Sequence, residues 1–186
     1  LLYRNYLLQE YGIYKAFTEL TDVSFRARLL EITYRDSENP DFEIAEQVFF
    51  IESIREVAAR NDLERKMIPV TKTGQLEPAY ATLAAMFQFM IGNTDWSVRK
   101  APPGSNCCHN GRILGPADAD QGWKVVPYDF DQAGLVDTDY AEPSEQLRLR
   151  SVKQRLWRGR CVHNDELDAV IALFNERREA IEAALR

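Results

Sequence analysis

Met90-Ile91-Gly92-Asn93-Thr94-Asp95-Trp96-Ser97 is the stretch on which the reading of this chain turns. An apolar run ends at Ile91 and meets a glycine turn, so a buried helix stops there and hands an aspartate to the following loop. Upstream, Leu76 to Ile91 carries Leu83, Ala84, Met86, Phe87, Met90 and Ile91, with Pro78 in the first turn, where proline is tolerated. This is the main buried helix. Downstream, Cys108-His109-Asn110 falls in a loop over 97–123 that is rich in Pro, Gly and Asn, with a short strand at 112–114. Val125-Val126-Pro127-Tyr128 is then an apolar strand that ends in Asp129-Phe130-Asp131.

The rest of the chain is arranged around that centre. Residues 1–20 read as an amphipathic helix, with Tyr3, Tyr6, Leu7, Glu10, Ile13, Tyr14 and Phe17 recurring at three- and four-residue spacing. Residues 24–34 and 47–51 are β-prone and predict an antiparallel pair joined by a turn at 35–40. Helices are expected at 52–65, 146–157 and 165–185, with connectors at 69–74 and 137–145. The expected fold class is α+β: a first part, 1–65, holding a small antiparallel sheet and the first helix, and a mainly helical second part, 66–186.

With 186 residues, 45% hydrophobic and 28% charged, the chain is long enough for one core. A net charge of −6 and a pI near 5.1 argue against a nucleic-acid binder. No run approaches the ~18 apolar residues of a membrane span. The basic stretch 148–160 reads first as a solvated helix face and second as a surface for an anionic ligand or partner. Cys107, Cys108 and Cys161 make no disulfide framework, and the odd count favours a reducing compartment. Cys107 and Cys108 are expected to point apart on an extended loop. Together with His109, Cys161 and His163 they lack the paired knuckle spacing of a zinc site.

Chemistry enters through the order Asp95, Asn110, Asp129. Phosphoryl transfer needs a carboxylate to orient and deprotonate the acceptor hydroxyl, and an Asn and an Asp to hold magnesium against the phosphates. Each residue alone has a plainer reading, since Asn93, Thr94 and Asp95 are all good turn and capping residues. Asp129 and Asp131 are harder to set aside. Two carboxylates one residue apart at the end of an apolar strand are costly unless a cation is near, and magnesium takes carboxylates, water and phosphate oxygens. Glu10, inside the first helix's apolar stripe, is either a stripe-edge carboxylate in water or the partner of a lysine supplied from upstream.

Ile91-Gly92-Asn93-Thr94-Asp95, His109-Asn110 and Pro127-Tyr128-Asp129-Phe130-Asp131 resemble the atypical kinase-like families of the spore-coat protein CotH and the toxin kinase HipA. The string from Phe87 to Pro143 is also similar to a group of uncharacterised bacterial proteins with a Gly-Asn-Thr-Asp-Trp-Ser … His-Asn … Pro-Tyr-Asp-Phe-Asp pattern. The resemblance covers the central third well and the first 60 residues loosely. It implies a protein-kinase-like fold, with 1–65 as a partial N-lobe and 66–186 as a C-lobe. It further implies ATP and magnesium as cofactors, Asp95 as catalytic base, Asn110 and Asp129 as magnesium ligands, and Asp131 as a second carboxylate at the metal. Glu10 would match the lobe-bridging glutamate beside the nucleotide by its place on the first helix.

Two departures accompany the resemblance. Fourteen residues separate Asp95 from Asn110, so the loop from Trp96 to His109 must fold out and return, and Asn106 is an alternative ligand on it. Leu1 in place of a starting Met reads as a fragment boundary. The strand lysine and glycine-rich phosphate loop are therefore expected upstream or are lost.

The leading expectation is a magnesium-dependent ATP phosphotransferase acting on a protein or small-molecule hydroxyl. The alternative is a catalytically inactive kinase-like binding module. An aspartate-nucleophile phosphatase fits less well: its Asp-x-Asp belongs on the first strand with a Thr soon after, and here Gln132-Ala133 follows.

Overall fold

A computed structural model describes residues 2–39 and 41–186; Leu1, and Pro40 at the end of the expected turn, lie outside the described residues. Helix α1 (Leu2–Thr18) buries Ile13, Tyr14 and Phe17, the residues that its three- and four-residue spacing places on one face. Strands β1 (Ala27–Arg35) and β2 (Glu43–Ile51) form the expected antiparallel pair, Ala27 opposite Ile51 and Arg35 opposite Glu43. β2 begins before the expected Gln47. Its first half is solvent-exposed, so the ladder with β1 defines it and apolar alternation does not. One side of the pair meets α1, where the Phe49 ring lies 5.5 Å from that of Tyr14.

The helix expected over 52–65 is only α2 (Ile54–Ala59). Ser53 and Glu56 form a reciprocal capping box at its start. Its end is set by Asn61, whose side chain donates to the Val57 carbonyl at 2.8 Å, and by Asp62, which takes φ 53°. Asn and Asp tolerate this left-handed turn and compete with further helix. The chain then pairs as β3 (Glu64–Arg65) along β4 (Gly111–Gly115), and β4 along β5 (Lys124–Pro127), in a three-stranded antiparallel sheet of order β3-β4-β5.

α3 (Pro78–Ile91) is the buried helix, capped by the Glu77 carboxylate on the Ala79 and Tyr80 amides and stopped by Gly92 at φ 69°. The segment expected as a helix over 146–157 is instead an irregular strap, apart from a 3-10 turn at Glu145–Leu147. Arg148 takes φ 54° there. Arg155 donates to the Met90 carbonyl at 3.0 Å, and Arg158 to the Thr94 and Trp96 carbonyls at 2.7 Å each. Those tertiary bonds override helix propensity, and the basic stretch is no solvated helix face.

The expected C-terminal helix is broken in two. A 3-10 segment (Cys161–Glu166) leads into α4 (Leu167–Glu176), and Arg177 separates α4 from α5 (Arg178–Ala184). The break turns α5 onto α1, where Gly12 leaves room for the Ala184 carbonyl, which a Cβ would meet at 2.9 Å. The second part is thus less helical than expected, with a sheet, a strap and three helices.

Of two hydrophobic clusters among the described residues, the larger runs across residue 65. Phe17 of α1, Phe87 of α3 and Phe130 after β5 are all buried, with ring centroids 4.6 Å apart for Phe17–Phe87 and 6.0 Å for Phe87–Phe130. Burying each such side chain contributes about 1.5–3 kcal/mol. The consequence for function is positional. Phe130 anchors the segment after β5, so its neighbour Asp129 is held at a fixed place at the surface.

Candidate functional site

Three chain segments meet at the end of α3. Asn93, buried, follows the Gly92 turn; its side-chain oxygen accepts from the Asp95 amide at 2.9 Å, and its carbonyl accepts from the Trp96 indole at 3.1 Å. This Asx turn aims the Asp95 side chain outward. The loop after it folds out and returns: the Ser97 amide donates to the His109 carbonyl at 3.0 Å, closing the base of the excursion. Fourteen intervening residues therefore do not separate Asp95 from Asn110 in space.

Asn110 donates its side-chain amide to both the carbonyl and the Oδ2 of Asp95, each at 2.9 Å. His109 Nε2 lies 2.7 Å from Asp95 Oδ1. Each Asp95 carboxylate oxygen thus has one protein partner and keeps lone-pair capacity for another donor. The Asn110 Oδ1 has no protein donor among the described residues. Asn110 sits at φ 49° and Asp129 at φ 63°, left-handed conformations that Asn and Asp adopt more readily than other residues with a side chain.

Asp129 is fixed through its backbone, not its carboxylate. Its amide donates to the Tyr14 hydroxyl at 2.8 Å, and the next amide, of Phe130, donates to Glu10 Oε1 at 3.0 Å. Partial burial, then the neighbouring Asp131 and Asp95 carboxylates, push the Asp129 carboxyl above its ordinary range, while His109 and Arg112 pull it down. Glu10 is pushed up to about 7, chiefly by burial and further by Asp129 and Asp131, with the Phe130 amide opposing. Burial likewise pushes the Tyr14 hydroxyl up. Glu10 is therefore not a stripe-edge carboxylate in water. It faces inward, toward the segment carrying Asp129 and Asp131.

The structure brings Asp95 and Asn110 into direct contact, with Asp129 in electrostatic reach of Asp95 and Asp131 in reach of Glu10. Asn106 lies further out on the excursion, exposed. Cys107 and Cys108, expected to point apart, are joined to each other, with Cα atoms 3.0 Å apart across a cis peptide bond. Two contributors escaped the sequence reading. His109 stands in the sequence as the first half of the His109-Asn110 pair and among possible zinc ligands, and neither reading gives it a place against Asp95. Arg158 was read as part of a helix face, yet it stacks on the Trp96 ring at 4.8 Å and clamps the carbonyls either side of Asp95.

Among the described residues, no three His, Cys, Asp or Glu side chains form a protein cage for a metal ion. Magnesium shared with a polyphosphate needs only one or two carboxylates, the rest coming from phosphate and water. Among the described residues the Asp129 carboxylate and the Asn110 Oδ1 have no protein donor, and Asp131 stands beside Asp129, a donor set compatible with that smaller requirement. Burial raises Asp129 and Glu10 most, and the further rise from neighbouring carboxylates is the part that a divalent cation relieves.

Among the described residues, no helix is long and apolar enough to cross a membrane. Comparison with known proteins gives no match to any family model, curated protein or solved structure.

Proposed function

We propose that this chain carries the base and metal half of a magnesium- and ATP-dependent phosphotransferase of atypical kinase type, acting on a protein or small-molecule hydroxyl. One observation carries the reading: Asn110 is hydrogen-bonded to Asp95, and Asp129 lies close enough to Asp95 to raise its own proton affinity. Residues from three segments of the chain come together in the chain order that a phosphoryl-transfer site would use, which supports the reading.

In this reading Asp95 orients the acceptor hydroxyl and takes its proton, with His109 and Asn110 fixing the carboxylate rotamer. Asn110 Oδ1, Asp129 and Asp131 would hold magnesium, which when bound would neutralise the phosphate oxygens. Tyr14 and Glu10 set the Asp129 backbone by direct hydrogen bonds, so α1 acts on the site through them. The resemblance to CotH- and HipA-type kinases supports the same assignment.

The alternative is a kinase-like binding module without activity. In a working site of this type the Glu10 carboxylate would hold a phosphate-binding lysine; here one of its oxygens accepts from the Phe130 amide at 3.0 Å, a structural bond that serves a binding module as well as an enzyme.

Titration calorimetry with ATP, with and without magnesium, tests the reading. Magnesium-dependent binding by the wild type that disappears in Asp129→Asn is the expected result. Equal affinity of both proteins would remove Asp129 from the metal and the phosphotransferase reading with it.

A further inference from the structure

Beside the Asp95 cluster opens a second cleft, of about 400 Å³, walled by β3, β4 and the excursion loop and reaching Asn110 and Tyr128. Its charge is unlike that of the chain. The whole protein carries 29 acidic against 23 basic residues, yet Arg65, Lys66 and Arg112 line this cleft and, among the described residues, no Asp or Glu does. None of the three cations forms an ion pair among the described residues.

Two of these cations are held in place without being neutralised. The Lys66 ammonium donates to the Ala117 carbonyl at 2.9 Å, which leaves its other two N–H groups free. The Arg112 guanidinium stacks over the Tyr128 ring at 4.3 Å, and one nitrogen donates weakly to the Gly111 carbonyl at 3.4 Å. Most of its fork therefore remains unused. The β3–β4 pairing fixes the spacing of these groups, for Arg65 stands opposite Leu114 and the Lys66 amide donates to the Ile113 carbonyl at 3.0 Å. Unpaired cations fixed in a concave wall focus positive potential and attract anions far better than the same charges on an open surface.

We infer that this cleft is a phosphate-binding site, taking a phosphoryl-bearing ligand whose anionic group lies between Arg65, Lys66 and Arg112. Such a group has two sources, the phosphate chain of a nucleotide or a phosphate already present on the acceptor. The site stands whether or not the neighbouring Asp95 performs transfer.

The test is calorimetric titration without magnesium, using inorganic triphosphate in one arm and glycerol phosphate in the other. The proteins are the wild type, Lys66→Gln/Arg112→Gln, Arg65→Gln, and a charge-matched control, Arg28→Gln/Arg55→Gln, at two exposed positions away from the cleft. Thermal melts verify folding; because Arg65 is exposed and its side chain makes no hydrogen bond among the described residues, Arg65→Gln keeps the test decisive if the double variant is unstable. Wild type and control should bind alike and more weakly as salt rises, the double variant at least about tenfold more weakly, and Arg65→Gln in between. Tighter triphosphate binding identifies a nucleotide chain, and tighter monoester binding a phosphorylated acceptor. No binding by the wild type in either arm, or equal loss in the control, overturns the site. Asp95→Asn should leave both titrations unchanged, so phosphate binding without transfer would count against the phosphotransferase reading alone.

Discussion

Asn110 bonds Asp95 twice with one amide group, at 2.9 Å to its carbonyl and 2.9 Å to its carboxylate, across fifteen positions of sequence. That double bond fixes both the backbone and the side chain of Asp95. It also turns the remaining Asn110 oxygen away from Asp95, which is how one residue can serve two roles in the proposed site.

The first prediction concerns Asp95. Asp95→Asn should leave nucleotide affinity nearly unchanged and lower turnover by about 10²–10⁴-fold, the range for a positioned general acid–base group. If Asp95 is only a turn residue, its loss costs about 1 kcal/mol of stability and leaves transfer intact. Melting temperature and phosphotransfer on the same variant separate the two, with transfer measured on a form of the protein that binds ATP.

A second variant, His109→Ala, tests the other partner of that carboxylate. Removing His109 frees Asp95 Oδ1 and should reduce turnover more than nucleotide affinity, because the lost contact positions the base and touches no phosphate in the proposed arrangement. Unchanged turnover would show that Asn110 alone is enough to hold Asp95.

The third prediction follows from Glu10, whose carboxyl is pushed up to about 7 from an ordinary 4.5. Between those two values the unfolded chain ionises Glu10 and the folded chain does not, so its contribution to stability falls as pH rises. Below pH 4.5 the group is protonated in both states and contributes no such penalty. The full cost, roughly 2–4 kcal/mol, is reached above pH 7. Glu10→Gln keeps an oxygen for the Phe130 amide and removes the ionisation. Its melting temperature should match the wild type at pH 4 and exceed it at pH 8; a constant difference across that range would contradict the buried carboxylate.

Arg158 gives the fourth. Its guanidinium spans the Thr94 and Trp96 carbonyls and stacks on the Trp96 ring. Arg158→Gln should cost about 2–4 kcal/mol, from charged hydrogen bonds worth about 1.5–3 kcal/mol each. Arg158→Lys should recover only part of that: one nitrogen, Nη1, makes both bonds and an ammonium can replace it, but an ammonium cannot reproduce the planar stacking on the Trp96 ring. Denaturant unfolding of the two variants checks the order, and full rescue by lysine would mean that charge alone matters.

The elements around the site were legible in sequence where local rules act alone. The spacing of Ile13, Tyr14 and Phe17 marked the buried face of α1, Pro78 and Gly92 bracketed α3, and the β-prone runs on either side of residues 35–40 marked the β1–β2 pair. In each case periodicity, proline geometry or glycine's freedom at positive φ decides the outcome within a few residues. Asp95 and Asp129 stand out in the sequence as polar residues at the ends of apolar elements, whereas Asn110, within a loop, is marked only by the order Asp–Asn–Asp and by the resemblance.

What the sequence by itself determined was therefore the identity of the parts. How they meet was decided by contacts between residues far apart in the chain. The strap over 146–157 has helix-forming composition, yet Arg155 and Arg158 gain more by bonding the carbonyls that α3 and its turn leave open. Glu10 had two readings in sequence, and only the Phe130 amide, 120 positions away, turned it inward. β3 is two residues long and carries no pattern of its own, so it exists only because β4 offers it a free edge. Local propensities differ by fractions of a kcal/mol per residue, whereas a buried charge or an open carbonyl is worth more, so wherever the two conflicted, tertiary structure set the result.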